Sequence, residues 1–316
     1  MNELNRRSIL RGATGAAAAL GVGRALHNTV IGYGRFGIGD NLQTQNLNAI
    51  AADGLRLPTI FETRVGDDDV SLQRGTVRYQ TEGDWAPVDS DAPTPIKQFQ
   101  ADVKAIQTDA VSFTFHAPEQ FFAYVTDAPT RAGTVELLRW RAGTPPDPGI
   151  VRAFVGTDPA DGAGLVRGLV HGFRDHTYYD VPRYIAGSVQ DNLLPIALDL
   201  RAPFRPTVSF EELLTADRPI GLFCTEYVRL ANRAIASVPA SNQTPPIVGL
   251  LVRNRRHKHV FNAFASAIGR EDGLEIPMTF VDYTYTTLYD DLKLTSIVGE
   301  GFDAYGTGHR ADVIQW

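Results

Sequence analysis

Ile220-Gly221-Leu222-Phe223-Cys224-Thr225-Glu226-Tyr227-Val228-Arg229-Leu230-Ala231-Asn232-Arg233-Ala234-Ile235 is the most apolar helical stretch of the chain. Its apolar residues run nearly all round a 3.6-residue period, the pattern of a helix buried in the middle of a domain. Pro219 precedes it and suits the first helical turn, where no amide donor is needed. A helix is therefore expected over Ile220–Ala236. Glu226 and Arg229 fall three residues apart on it, on one face and within reach of each other. A buried charge is costly unless paired, and a buried pair adds little net stability. Such a pair is a structural tie or a functional site.

The rest of the chain sets limits around that helix. Its 316 residues are 43% hydrophobic and 21% charged, with a net charge of −6. That composition folds into one large globular domain or two smaller ones and excludes a disordered chain or a collagen. No apolar run is long enough to span a bilayer as a helix. One cysteine, Cys224, excludes an intramolecular disulfide and a cysteine-based zinc cluster. It reads as a small buried hydrophobe, since no His and Asp stand in a recognisable triad pattern around it.

Arg6-Arg7-Ser8-Ile9-Leu10-Arg11, followed by the short, mildly apolar stretch 12–23, resembles a twin-arginine export signal. Residues 1–27 are thus expected to be an address removed from a secreted, extracellular protein. Residues 28–107 are expected to hold an N-terminal helix near Asn41–Leu55 and an acidic, Pro/Gly-rich solvated insertion over 65–96. Residues 108–316 form the main region, and 28–316 read as one domain. Strands are expected at Val111–His116, Gln120–Asp127 and Thr134–Arg141, forming an antiparallel meander. Helices are expected at 161–173, after the capping box Ser209-Phe210-Glu211-Glu212, and at His259–Gly269. Glu275–Ile297 alternates like a C-terminal hairpin, and Tyr283-Thr284-Tyr285 reads as strand. The fold class is α+β: an N-terminal mixed sheet, a mainly helical middle around the central helix, and a closing hairpin.

Four segments carry a resemblance. Thr225-Glu226-Tyr227-Val228-Arg229-Leu230 resembles the active-site helix of the ribosome-inactivating proteins of the ricin A-chain type, with Leu230 where that family has an aromatic residue. Tyr179-Asp180-Val181-Pro182-Arg183-Tyr184-Ile185-Ala186-Gly187 is similar to the family segment whose Tyr stacks on the target adenine. Leu137-Leu138-Arg139-Trp140-Arg141-Ala142-Gly143 resembles a family strand, and Phe261-Asn262-Ala263-Phe264-Ala265-Ser266-Ala267-Ile268 resembles a family helix that begins with Trp. All four occur in family order, over roughly 108–300.

The resemblance implies an rRNA adenine N-glycosylase that depurinates ribosomal RNA and so inhibits translation. Arg229 would donate to the leaving adenine, and Glu226 would stabilise the oxocarbenium-like ribose and orient the water. Tyr179 would stack on the base and Phe261 would support the site floor. The family's first stacking Tyr falls on Glu136 here, with Trp140 or Tyr178 as substitutes. The resemblance requires Glu226, Arg229, Tyr179 and Phe261 to line one cleft. It implies no cofactor, and its partner is the ribosome through an rRNA stem-loop. The competing expectation is a non-catalytic RNA-, nucleoside- or glycan-binding protein of the same fold.

The one basic cluster, Arg253-Asn254-Arg255-Arg256-His257-Lys258-His259, offers Arg253, Arg255, Arg256 and Lys258 as RNA phosphate contacts or as a solvated charged face. His257 and His259 lack an evident third metal ligand, so no metal site is expected. The glycine-rich stretch Gly32–Gly39 lacks the strand-to-helix context of a phosphate loop.

Overall fold

The computed structural model describes residues 40–81, 83–180, 183, 208–256, 258–271 and 273–316. The expected export segment 1–27, the stretch Gly32–Gly39, residues 184–187 of the Tyr179 segment and His257 lie outside the described residues. The chain is α+β, and no helix among the described residues is long and apolar enough to cross a membrane.

Helix α1 (Leu47–Gly54) falls within the expected 41–55 helix, and the Asn46 side chain accepts the Ala49 N–H to start it. The segment expected as a solvated insertion is instead a folded sheet. Strands β1 (Ile60–Val65), β2 (Asp68–Gln73), β3 (Thr76–Thr81) and β4 (Asp84–Pro87) form an antiparallel meander. Its acidic and glycine residues concentrate at the turns. Arg74 and Gly75 both take positive φ (49° and 84°), as a tight two-residue hairpin requires. The strands bury Val65, Val70, Leu72, Val77 and Tyr79 against Ile96, Phe99 and Val103 of helix α2 (Thr94–Gln107).

Strand β5 (Val111–Phe115) forms where expected, but the two strands after it do not. Helix α3 (Pro118–Thr126) replaces the second, with Pro118 in its first turn and Phe121 and Val125 buried four residues apart. Helix α4 (Ala132–Leu138) replaces the third, burying Thr134, Val135, Leu137 and Leu138. Both segments are rich in β-favouring side chains, and helical spacing of the buried ones overrides that propensity. Helices α5 (Pro148–Val155) and α6 (Gly162–His176) follow, the latter matching the expected 161–173 helix and capped by Asp161. Strand β6 (Thr177–Tyr179), helix α7 (Phe210–Thr215) with its Ser209–Glu212 capping box, and strand β7 (Ile220–Leu222) lead to helix α8 (Cys224–Ile235). The expected Ile220–Ala236 helix therefore begins four residues late, because Ile220–Leu222 pairs in parallel with β6.

The central sheet comes mostly from the C-terminal third. It contains β5, β8 (Val248–Asn254), β9 (His259–Ala265), β10 (Ile268–Arg270), β11 (Gly273–Val281) and β12 (Val313–Gln315). β9 runs antiparallel to both β8 and β11, β5 lies parallel on the far edge of β11, and β12 flanks β8. This corrects three expectations. His259–Gly269 is strand, not helix. Glu275–Ile297 is not a hairpin: after β11 the chain enters helix α9 (Tyr283–Asp291), capped by Asp282, and then α10 (Thr295–Val298). Tyr283-Thr284-Tyr285 is accordingly the first turn of α9.

β9 and β11 are covered on both faces, so they read as continuous apolar runs without the alternation of a half-exposed strand. One face packs on α6, α8 and α9 through Phe264 and Val281, with Phe173, Tyr227 and Tyr283. The other packs on α1, α2 and α4 through Phe261, Ala263 and Phe280, with Ala51, Ile106 and Leu138. Each large apolar side chain buried there contributes roughly 1.5–3 kcal/mol. The Trp316 indole donates to the Ala51 carbonyl at 3.0 Å, tying the residue after β12 to α1.

Candidate active site

Glu226 sits in the first turn of α8, and its carboxylate is fully engaged. Oε2 accepts the Phe223 N–H at 2.8 Å, closing the helix N-terminus. Arg183 grips both oxygens, at 2.6 and 2.8 Å, in a fork only 8% exposed on the Arg side. The same guanidinium lies 5.8 Å from the Phe223 ring centroid, and Tyr179 stacks on that ring at 6.1 Å and 16°. Tyr179, Phe223, Glu226 and Arg183 thus form one cluster.

Arg229 and Phe261 do not join it. The expected Glu226–Arg229 pair does not form: Arg229 is exposed, in a groove beside Arg141 and Arg233, because Arg183 reaches Glu226 first. Phe261 is buried on the opposite face of the sheet from α8, edge-on to His309 at 5.0 Å. Tyr178 points away from Tyr179 and is 44% exposed, since side chains alternate along β6. Glu136 accepts the Ala240 N–H at 2.8 Å and lies 3.4 Å from Arg139, so it anchors the turn after α8. Trp140 is a surface residue with the Arg141 guanidinium 4.2 Å over its ring. Arg253, Arg255, Arg256 and Lys258 are exposed at the β8–β9 hairpin, where the Arg255 N–H donates to Asp312 at 2.7 Å. The four residues required to line one cleft are therefore split between two faces of the sheet and the surface.

A second constellation was not visible as sequence spacing. Cys224 opens α8 and is buried. It lies beside His259, the first residue of β9. His259 Nε2 lies 2.7 Å from Asp282 Oδ2, just past the end of β11. The same oxygen meets His309 Nε2 at 2.8 Å. A carboxylate only accepts, so both ring nitrogens donate to it. Asp282 Oδ1 accepts the Thr284 N–H at 3.0 Å, and His309 Nδ1 meets the Thr307 hydroxyl at 2.5 Å. Each group in the line Cys224–His259–Asp282–His309–Thr307 has its partner.

The electrostatics follow from this order. Burial disfavours a charged His259. The charge and hydrogen bond of Asp282, with the hydrogen bond of Cys224, outweigh it and lift the imidazole to about 10. Burial likewise opposes the Asp282 charge, but His259 and His309 hold this carboxyl well below its usual range. Burial dominates at His309 and lowers it, so this ring stays neutral, its Nδ1 accepting from Thr307. The result is a buried imidazolium–carboxylate pair with a thiol on its outer side.

His259, Asp282 and His309 are also three groups of metal-ligating type, close together and buried. Ring nitrogens that donate protons to Asp282 have no lone pair for a cation. Their 2.7 and 2.8 Å contacts are hydrogen-bond distances, shorter than the roughly 3.3 Å between ligand atoms around a tetrahedral zinc. What the arrangement can do is move a proton between a sulfur and an imidazole held by an acid.

The available sequence signal was a lone Cys with His and Asp residues later in the chain. No family model matches the chain, and neither a curated protein nor a solved structure is similar to it.

Proposed function

We propose that the protein is a cysteine-dependent acyl hydrolase in which Cys224 is the nucleophile, His259 the acid–base and Asp282 the orienting carboxylate. The observation that carries this reading is the placement of Cys224 beside His259, whose Nε2 lies 2.7 Å from Asp282. A thiol attacks only as thiolate. An imidazole raised to about 10 carries its proton at neutral pH and holds it ready for the leaving group. With Nε2 committed to Asp282, Nδ1 is the nitrogen that exchanges this proton. The start of α8 contributes the Cys224 and Thr225 amides, which have no intrahelical acceptor and suit an oxyanion.

The reaction is written in two halves. Cys224 Sγ adds to the carbonyl carbon of an amide or ester. The C–N or C–O bond breaks as His259 gives its proton to the leaving amine or alcohol, leaving a thioester on Cys224. Neutral His259 then removes a proton from water. The hydroxide adds to the thioester, releasing the carboxylic acid and the cysteine. The N-terminal Arg6-Arg7 segment supports an enzyme acting after export.

The test is pre-steady-state turnover of p-nitrophenyl acetate by the full chain, with Cys224→Ser and His259→Asn beside it. A burst approaching one equivalent of nitrophenol, with a 42 Da adduct mapped by mass spectrometry to Cys224, is expected only in the parent protein. A folded parent with no burst, or an equal burst in Cys224→Ser, refutes the reading.

A second reading rests on the Tyr179–Phe223–Glu226–Arg183 cluster: the adenine N-glycosylase suggested by the sequence, with Arg183 rather than Arg229 as the cation beside Glu226. The 6.1 Å spacing of the Tyr179 and Phe223 rings leaves no slot for a base between them, which ranks it second. Its test is adenine release from intact ribosomes, lost in Glu226→Gln and kept in Cys224→Ser. No release from a folded parent ends it.

A further inference from the structure

The outward face of α8 and the adjoining edge of the sheet form a groove of about 410 Å³. That is within the size range of small-molecule sites. Arg141, Arg229 and Arg233 line it, together with Asn232, Gln315 and the buried Arg139, which is spent on Glu136, Gln243 and main-chain carbonyls. No Asp or Glu side chain lines it. None of Arg141, Arg229 and Arg233 forms an ion pair with a described residue. Arg141 spends one N–H on the Trp316 main-chain oxygen at 3.2 Å, and Arg233 one on the Thr144 carbonyl at 3.2 Å. These contacts hold the guanidiniums in place and leave most of their donors uncommitted.

Arg229 and Arg233 are one helical turn apart, an arrangement of like charges that costs stability on an isolated helix. On a chain of net charge −6, Arg229 and Arg233 converge there with no Asp or Glu side chain in the lining, while Arg141 donates to the Trp316 main-chain oxygen. Tetrahedral oxyanions match the guanidinium fork, which accounts for arginine rather than lysine at all three positions. The basic surface also continues. Gly249 and Leu251 of β8 line the groove, and Arg253, next on the same face of that strand, is exposed and leads to Arg255 and Arg256.

We infer that this groove binds a phosphate group, held by Arg229 and Arg233 from α8 and by Arg141 from the opposite wall. The site lies along the later turns of α8, whereas Cys224 opens that helix, so it is additional to the proposed active site. The phosphate belongs either to a small phosphorylated ligand or to a phosphodiester strand that follows β8 toward Arg253.

The experiment is calorimetric titration of the full chain with pyrophosphate and, separately, with a single-stranded oligothymidine. Saturable binding of at least one probe is expected, weakened tenfold or more in Arg229→Gln/Arg233→Gln and in Arg141→Gln. Cys224→Ser should bind as the parent does, which separates this site from the fate of the acyl-hydrolase reading. Tighter binding of the oligonucleotide, with a log–log salt slope shallower by about 1.4 in the double variant at about 0.7 per lost phosphate contact, assigns the strand. Binding of pyrophosphate alone assigns the small ligand. No saturable binding of either probe, or equal binding by folded variants, overturns the inference.

Discussion

Asp282→Asn is the sharpest test of the buried relay, because it changes one atom's charge and almost no volume. Asp282 has no exposed surface, and its Oδ2 receives both imidazoles. Lifting His259 from 6.5 to about 10 corresponds to roughly 5 kcal/mol of interaction favouring the imidazolium, at 1.36 kcal/mol per unit. Breaking a buried ion pair from one side costs about 3–5 kcal/mol, a consistent scale. A raised folded-state value means that His259 stabilises the fold fully below its unfolded value near 6.5. That contribution is lost as pH rises through about 10. Urea unfolding followed from pH 6 to 10 should therefore show the parent losing several kcal/mol across that window. Asp282→Asn should start about 3–5 kcal/mol lower at pH 6 and stay nearly flat. His259 and His309 ring resonances in NMR would report the titrations directly. A variant as stable as the parent at pH 6, or one keeping the parent's slope, would show that Asp282 and His259 do not form a charged pair.

Other expectations are simpler to state. His309→Asn keeps a donor to Asp282 but loses the Thr307-locked ring. It should alter the pH profile of the acyl burst while leaving Cys224 alkylation intact, and an unchanged profile would remove His309 from the site. Arg183→Ala leaves the Glu226 carboxylate without its fork and should lower stability by about 3 kcal/mol in urea, whereas Arg183→Met/Glu226→Gln recovers most of that loss. An equal loss in both would show that the charge pair is not the cause. Gly172→Ala sets a Cβ 2.6 Å from the Phe154 main-chain oxygen where α5 and α6 touch. It should cost about 1–3 kcal/mol, and an unchanged melting temperature would mean that the two helices pack less closely than described.

Local signals were legible wherever one face of an element met water. Ser209 announced α7 through its capping box, and the stripe Leu165, Val166, Leu169, Val170, Phe173 announced the buried face of α6. Signals failed where both faces are buried. Across β9 and β10, Phe261, Phe264, Ala265 and Ile268 fall at helical spacing in the sequence. In the sheet, Phe261 enters one core and Phe264 the other. The acidic run at Asp67–Asp69 hid the meander, because its charges sit at a hairpin while Val70 and Leu72 point inward. Glu226 and Arg229 drew notice as charges on an apolar helix. The fold spends Glu226 on a cap and on Arg183, which lies far away in sequence.

The relay escaped notice for a topological reason, and that reason supports its being a site. β9 and β11 run antiparallel, with Asn262 opposite Val281. The first residue of β9 and the residue after β11 therefore arrive at the same end of the sheet, and α8 begins there too. Cys224, His259 and Asp282 each stand at the terminus of a different element, so their meeting is fixed by strand order and leaves no spacing motif. Filling this corner with apolar side chains of similar volume would be neutral or stabilising, as is common for buried ion pairs. The chain instead places a thiol, two imidazoles and a carboxylate there, fixes the carboxylate with a main-chain N–H and one imidazole with a threonine hydroxyl, and aims the charged imidazole at the sulfur. Stability alone gives no reason for that choice. The acyl-transfer role proposed for Cys224 would give one.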